Sequence, residues 1–107
     1  MRRGKFNNKP VMIDGHRFAS KAEAKRYGEL KLLEKAGKIR DLQLQVRFPL
    51  GINNKLICAY IADFRYYDIN TSRYIVADVK GVRTPVYRIK KKLMRAIFGI
   101  EITEIQA

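Results

Sequence analysis

Cysteine and histidine are almost missing from this chain: Cys58 and His16 are the only ones among 107 residues. A single cysteine cannot close an internal disulfide, so no disulfide framework replaces a core. One cysteine and one histidine also cannot assemble a zinc site. Any metal would have to be held by carboxylates, whose hard oxygens favour Mg²⁺ or Mn²⁺. Cys58 lies in an apolar stretch and reads as a small buried hydrophobe. Long apolar runs are missing too, and the longest is far short of the roughly 20 residues that span a bilayer. At the start, Met1-Arg2-Arg3-Gly4-Lys5 leads into polar Asn7-Asn8-Lys9, without the apolar stretch of a secretory signal. A cytoplasmic chain with no membrane partner is expected. No repeat, linker or second domain is visible.

Acidic residues are the remaining scarcity. Ten Asp and Glu face 23 Lys and Arg, for a formal charge of +13. Such an excess repels itself and calls for a polyanion. Nucleic acid is the commonest, because each cation placed at a phosphate releases condensed counterions. An anionic membrane would want a strongly amphipathic basic helix or a lipidation motif. There is no lipidation motif, and the basic residues are spread along the chain.

With 47% hydrophobic residues the chain can build a core. Residues 1–10 read as a flexible basic arm and 11–107 as one domain, small enough to gain from a partner subunit. Asp14-Gly15 between Val11-Met12-Ile13 and His16-Arg17-Phe18 marks a hairpin. Residues 20–36 read as a helix: Ser20 and Glu23 form a capping box, Gly37 ends it, and Leu30 and Leu33 mark its buried face with Ala22 and Ala36 nearby. Leu42, Leu44, Val46, Phe48 and Leu50 alternate with Gln43, Gln45 and Arg47, as in a half-buried strand. After a turn at 51–54, strands follow at 56–67 and 74–80. Thr84-Pro85 opens a second helix whose expected stripe is Val86, Ile89, Leu93 and Ala96 or Ile97, and which Gly99 stops before a strand at 100–105. The order helix, three strands, helix, strand predicts an α/β fold: a mixed sheet with helices against it.

Three charged side chains interrupt the apolar strands. In Tyr74-Ile75-Val76-Ala77-Asp78-Val79-Lys80, Asp78 and Lys80 share a face, opposite Ile75, Ala77 and Val79. Asp63 shares the parity of Ile57, Ala59 and Ile61 and projects from an otherwise apolar face. If the two strands are neighbours, Asp63 lies beside Asp78, and two close carboxylates repel unless a cation sits between them. Lys80 can then hold water or phosphate next to a Mg²⁺ ion. Glu23 stacks with Tyr27 and Leu30 on one helix face, which could bring a third carboxylate. Simpler readings exist: an exposed Asp78–Lys80 strand pair, Asp63 paired with Arg65, Glu23 serving only the capping box, and Glu29 a solvated helix residue. Arg88, Lys91, Lys92 and Arg95 recur at helical spacing as a phosphate-tracking stripe. Arg2, Arg3 and Lys5 in the arm, and Arg83 and Thr84 at the helix start, extend that expected interface. Tyr66, Tyr67, Tyr74 and Tyr87 could stack on bases but suit the edge of a core better.

Asp63, then Asp78-Val79-Lys80, after a helix bearing Glu23, resembles the PD-(D/E)xK nuclease superfamily. More narrowly, the residues Asp14-Gly15 and Phe18-Ala19-Ser20-Lys21-Ala22-Glu23-Ala24, the strand Tyr60-Ile61-Ala62-Asp63-Phe64 and the end Asp78-Val79-Lys80-Gly81 are similar to small phage-encoded endonucleases, some of which resolve Holliday junctions. The first signature Asp lacks its preceding Pro: Ala62 stands there. The resemblance implies a restriction-endonuclease-like αβββαβ core and Mg²⁺-dependent endonuclease activity on DNA, with Mn²⁺ able to substitute and a 5′-phosphate product. It implies metal ligation by Asp63, Asp78, the Val79 carbonyl and Glu23, with Lys80 as the charged catalytic partner. Junction resolution requires two opposed cuts, which a homodimer supplies. The competing expectations are a non-catalytic nucleic-acid-binding module and a sequence-specific or nicking nuclease.

Overall fold

Asp14 and Gly15 take φ of 52° and 78°, the pair of positive values that a two-residue hairpin turn of the matching twist demands. They join β1 (Val11–Ile13) to β2 (His16–Phe18), with Val11 opposite Phe18. This computed structural model describes residues 10–107. The expected cations Arg2, Arg3 and Lys5 lie outside the described residues.

The hairpin is pinned to α1 (Lys21–Lys35). Phe18 packs on Tyr27 with ring centroids 4.9 Å apart, and the Tyr27 hydroxyl donates to Asp14 at 2.8 Å. Ser20 caps the helix, its hydroxyl accepting the Glu23 N–H at 3.2 Å. The buried face is Ala24, Tyr27 and Leu30, while the expected Leu33 is exposed. A stripe that advances by three residues slips about 60° around the helix at each step, so Leu33 has rotated away from the core.

The sheet is β3 (Ile39–Ile52), β4 (Lys55–Asp68), β5 (Arg73–Lys80) and β6 (Thr103–Gln106), in that order. The first three strands form an antiparallel meander. α2 (Pro85–Phe98) is the crossover that sets β6 parallel to β5. The chain is thus an α/β fold, with a mixed four-stranded sheet and two helices packed on it. Gly51 and Ile52, expected in a turn, continue β3, and Asn53 and Asn54 alone turn the chain at φ of 52° and 64°.

β5 is the axis of the molecule. Ile75, Ala77 and Val79 join the core under α1, whereas Val76 joins the core under α2. Since strand side chains alternate, the helices cover opposite faces there. The β3–β4 ribbon serves both cores with side chains of one parity: Leu44, Phe64 and Tyr66 enter the first, Leu50, Tyr60 and Ala62 the second. The ribbon therefore turns over between these sets. It does so between the pairs Leu44↔Phe64 and Val46↔Ala62, where Gln45 takes φ of 51° and Gln45 and Asp63 are not register partners.

α2 has the expected ends, with Thr84 accepting the Tyr87 N–H at 3.1 Å and Gly99 closing at φ 70°. Its buried stripe differs from expectation. Tyr87 and Met94 are buried, Leu93 and Ile97 half-buried, and Val86 and Ile89 are 61% and 60% exposed. Tyr87 decides the rotation, because its ring lies beneath Lys80 and its hydroxyl reaches Glu104. Among the described residues, no helix is long and apolar enough to cross a membrane.

Candidate functional site

The β4–β5 ladder runs from Asp68↔Arg73 to Phe64↔Ala77. One further step of that register sets Asp63 against Asp78. There the carboxylates replace the backbone ladder: Asp78 Oδ1 accepts the Asp63 N–H at 3.2 Å, and Asp63 Oδ2 accepts the Val79 N–H at 2.9 Å. The meeting that alternation suggested is therefore present. One detail differs. Ile57 and Ile61, the apolar companions of Asp63, are exposed, and the buried face of β4 is Tyr60, Ala62, Phe64 and Tyr66. Asp63 is half-buried because the ribbon turns over at that residue.

Asp78 is 3% exposed, the one buried charged side chain among the described residues. Lys80 Nζ sits 2.9 Å from Asp78 Oδ2 and 4.1 Å from the centre of the Tyr87 ring. A single ammonium therefore answers two carboxylates. Burial, and then the neighbouring Asp78, push the Asp63 carboxyl up to about 8, against the pull of the Val79 N–H. Glu23 is raised as well, by burial first and by Asp78 second, opposed by the Ala19 amide and Lys80. The half of the capping box that would use the Glu23 carboxylate does not form; only its N–H is bound by Ser20. The carboxylate lines a cleft of about 370 Å³ together with Asp63, Asp78, Lys80 and Thr84.

Glu23, Asp63, Asp78 and Lys80 thus share one cleft, with Val79 in its wall. Glu23 stands apart from the aspartate pair, and among the described residues no three His, Cys, Asp or Glu side chains close into a metal cage. The donor set still fits Mg²⁺, a hard cation usually held by one or two carboxylates while it keeps several waters.

The expected DNA contacts divide. Arg83 and Lys91 both bind Glu104, at 2.8 and 3.0 Å, and Tyr87 donates to the same carboxylate at 2.7 Å. Glu104 is held down to about 2, by the Tyr87 hydroxyl first and then Arg83 and Lys91. Arg95 faces Glu101 at 3.6 Å in solvent. Arg88 and Lys92 are exposed and make no ion pair among the described residues. Thr84 caps α2 at the cleft wall. Of the tyrosines, Tyr66 and Tyr87 are core, and Tyr67 and Tyr74 carry Arg40 and Arg65 on their rings.

Two residues of the cleft escaped sequence reasoning. Lys90 lines it from α2 beside Tyr87. The Tyr60 hydroxyl is buried beside the Asp78 carboxylate without closing a well-formed hydrogen bond, and burial first and then Asp78 raise its pKa. Tyr60 has the opposite parity to Ile57, Ala59 and Ile61, so alternation sets it on the other face of the strand and gives no sign that its oxygen ends beside an acid.

Residues 3–105 match the family described as "Protein of unknown function (DUF1064)". No curated protein and no solved structure matches the chain. The match spans almost the whole sequence, and the chain belongs to the DUF1064 family.

Proposed function

We propose that the protein is a Mg²⁺-dependent DNA endonuclease with a restriction-endonuclease-like core, selective for branched DNA such as four-way junctions and working as a homodimer. The observation that carries this reading is the approach of Asp63 to Asp78 across adjacent strands, with Lys80 at 2.9 Å, in an open cleft on a chain of charge +13. Two carboxylates short of positive charge are the requirement of a divalent-ion site.

Asp63 and Asp78 would hold the ion, aided by the Val79 carbonyl, and Glu23 would complete the shell directly or through water. A divalent ion there supplies positive charge to a phosphodiester and eases proton loss from water. Lys80 places a fixed ammonium where charge develops on phosphorus. The Tyr87 ring beneath it and Asp78 beside it hold that ammonium in place. Tyr60, a phenol next to the carboxylates, is a hydrogen-bond donor in the cleft. Hydrolysis would add one water across the bond: its oxygen joins phosphorus as the bond to the 3′ oxygen breaks, and the proton it loses passes through solvent to that 3′ oxygen, giving a 5′-phosphate and a 3′-hydroxyl. Arg88, Lys92 and Lys90 supply phosphate contacts along α2. Two copies related by a two-fold axis would make the paired cuts that resolution requires.

The test is a cleavage panel of junction, flap, single strand and duplex with Mg²⁺ or Mn²⁺. Cutting of branched substrates, lost in Asp78→Ala with junction binding kept, is the expected result. Cutting of linear duplex at least as fast as junctions would point to a nicking or sequence-specific nuclease. Absence of cutting on every substrate would end the nuclease reading. A non-catalytic DNA-binding module would then remain, favoured by one observation: both aspartates already close the end of the strand ladder through backbone N–H groups.

A further inference from the structure

The cleft does not end at Asp63. A depression of about 470 Å³ shares Glu23 and Asp63 with it and is bounded on the far side by Arg17 and Gln45. A second, of about 460 Å³, begins at the same Arg17 and Gln45 and reaches His16 on the hairpin. The three form one groove from the start of α2 to the β1–β2 hairpin, with the aspartates on its α2 side and Arg17 at its saddle.

Among the described residues, Arg17 is the one cation lining the middle depression. It is exposed and makes no ion pair among the described residues, although Glu23 and Asp63 line the same depression. Lys31, at the far end, is by contrast held by Glu34 at 2.9 Å. Gln45 turns the ribbon over at φ 51°, a strained backbone for a residue with a long side chain and one that gathers at functional positions. The hairpin-side depression has polar walls of His16, Lys31, Glu34 and Gln45 around an apolar strip of half-buried Leu42 and Leu44, with Tyr27 buried beneath. An apolar strip bordered by polar groups suits the face and edge of a planar ring.

We propose that this groove seats one unpaired DNA nucleotide beside the bond to be cut, Arg17 holding its phosphate and the base lying over Leu42 and Leu44. The proposal rests on the reading of Asp63 and Asp78 as the cutting centre. A base stacked and paired in duplex offers neither its face nor its free edge, whereas a strand-exchange point or a flap offers both. The seat would therefore make a small domain selective for branched DNA without a separate base-reading module. Arg17 and Gln45 are positioning residues in this scheme.

Binding in EDTA reads the seat independently of cutting. The probes are a blunt duplex and the same duplex carrying a short single-stranded flap, each titrated at several salt concentrations. Arg17→Ala is compared with Arg73→Ala, which removes the same charge from the opposite end of β5. Arg17→Ala should weaken flap binding about tenfold and lower its salt slope by about one, leaving the blunt duplex within about twofold. Arg17→Lys, which keeps the charge without the bidentate fork, should recover part of the loss. Gln45→Gly, which permits the positive φ without the amide, should weaken flap binding severalfold with its fold intact. If Arg17→Ala matches Arg73→Ala, or weakens both DNAs equally, the seat is wrong. A protein that cuts while Arg17→Ala behaves as wild type loses only the seat; one that never cuts yet shows the selective loss keeps the seat and loses the nuclease.

Discussion

Asp78 and Glu104 are register partners on adjacent strands, yet their surroundings are opposite. Glu104 accepts from Arg83, Tyr87 and Lys91, and its carboxyl is held at about 2. Asp78 faces Asp63 on its other side, and that pair has two backbone N–H groups and one ammonium, which leaves Asp63 at about 8. One acid is oversupplied with donors and ties α2 to β6. The other pair is undersupplied, and an added cation would lower its energy. The same residue chemistry within one sheet therefore separates into a strut and a candidate metal site by the count of positive groups around it.

The sharpest way to break that contrast is to neutralise each acid in turn. Asp78→Asn keeps an oxygen for the Asp63 N–H, so the fold should persist and junction binding should hold or tighten. Cleavage with Mg²⁺ should fall by a factor on the order of a thousand, at the upper end of what removing one preorganised charge does. Glu104→Gln should leave the cleavage rate within roughly an order of magnitude of wild type, by the same scale. Equal losses in two folded variants, measured in single-turnover assays, would erase the distinction between strut and site.

Stability against pH separates the two acids without any substrate. An unfolded aspartate titrates at 3.8 and folded Asp63 at about 8. Between those values the folded chain carries a proton that the unfolded chain has lost, so the Asp63 contribution falls as pH rises through the window and is flat above it. Glu104 has the opposite sign: its contribution is complete above 4.5 and is lost as pH falls towards 2. Thermal melts in EDTA should show a decline from mildly acidic to mildly alkaline pH that Asp63→Asn flattens and Glu104→Gln does not. Mg²⁺ should raise the melting temperature most above pH 8, where no proton competes for the carboxylates. Melts insensitive to Mg²⁺ at that pH would count against the metal site.

The undersupplied pair was legible in the sequence and the strut was not. Asp63 and Asp78 stand out because each breaks an apolar strand; period-two alternation pairs Asp78 with Lys80 but sets Asp63 on a face with Ile57 and Ile61 that proves exposed, because the ribbon turns over there. Glu104 sits on a short strand among polar residues, where an acid carries no signal. Its partner Tyr87 reads in the sequence as a core-edge tyrosine and not as part of the helical stripe, because Val86, Ile89 and Leu93 make an equally good one; only the pull of Glu104 and Lys80 on Tyr87 chooses between them. The element order, the Thr84 and Gly99 ends of α2 and the Asp14-Gly15 turn were legible because each rests on local backbone chemistry. The turn-over of the ribbon at Gln45 was not, since nothing in the residue type foretells a positive φ there.

Glu104→Gln sharpens the strut side. Weakening charge-assisted bonds from three donors should destabilise the fold by about 2 kcal/mol. It should also release Arg83 and Lys91 towards solvent, steepening the salt dependence of DNA binding by up to about two. Chemical denaturation and salt titrations on the same variant read both effects. An unchanged salt slope would mean that neither cation reaches phosphate, so the interface would rest on Arg88, Lys90 and Lys92.

The smallest expected effect concerns the oxygen that neither cluster uses. The Tyr60 ring packs with Phe48 and Tyr87, and its hydroxyl is buried beside Asp78 without a well-formed hydrogen bond. An unsatisfied buried hydroxyl costs about 1–3 kcal/mol, so Tyr60→Phe, which removes that oxygen and little volume, should stabilise the metal-free protein by about 1 kcal/mol. A buried polar group is tolerated where it serves a bound ion or water. The same substitution should then raise the Mg²⁺ concentration needed for half-maximal thermal stabilisation severalfold. Opposite signs in the two melts, higher without metal and weaker in its response to Mg²⁺, distinguish a hydroxyl that serves the metal shell from one that merely lacks a partner. A variant stabilised equally with and without Mg²⁺ would place Tyr60 in the core alone.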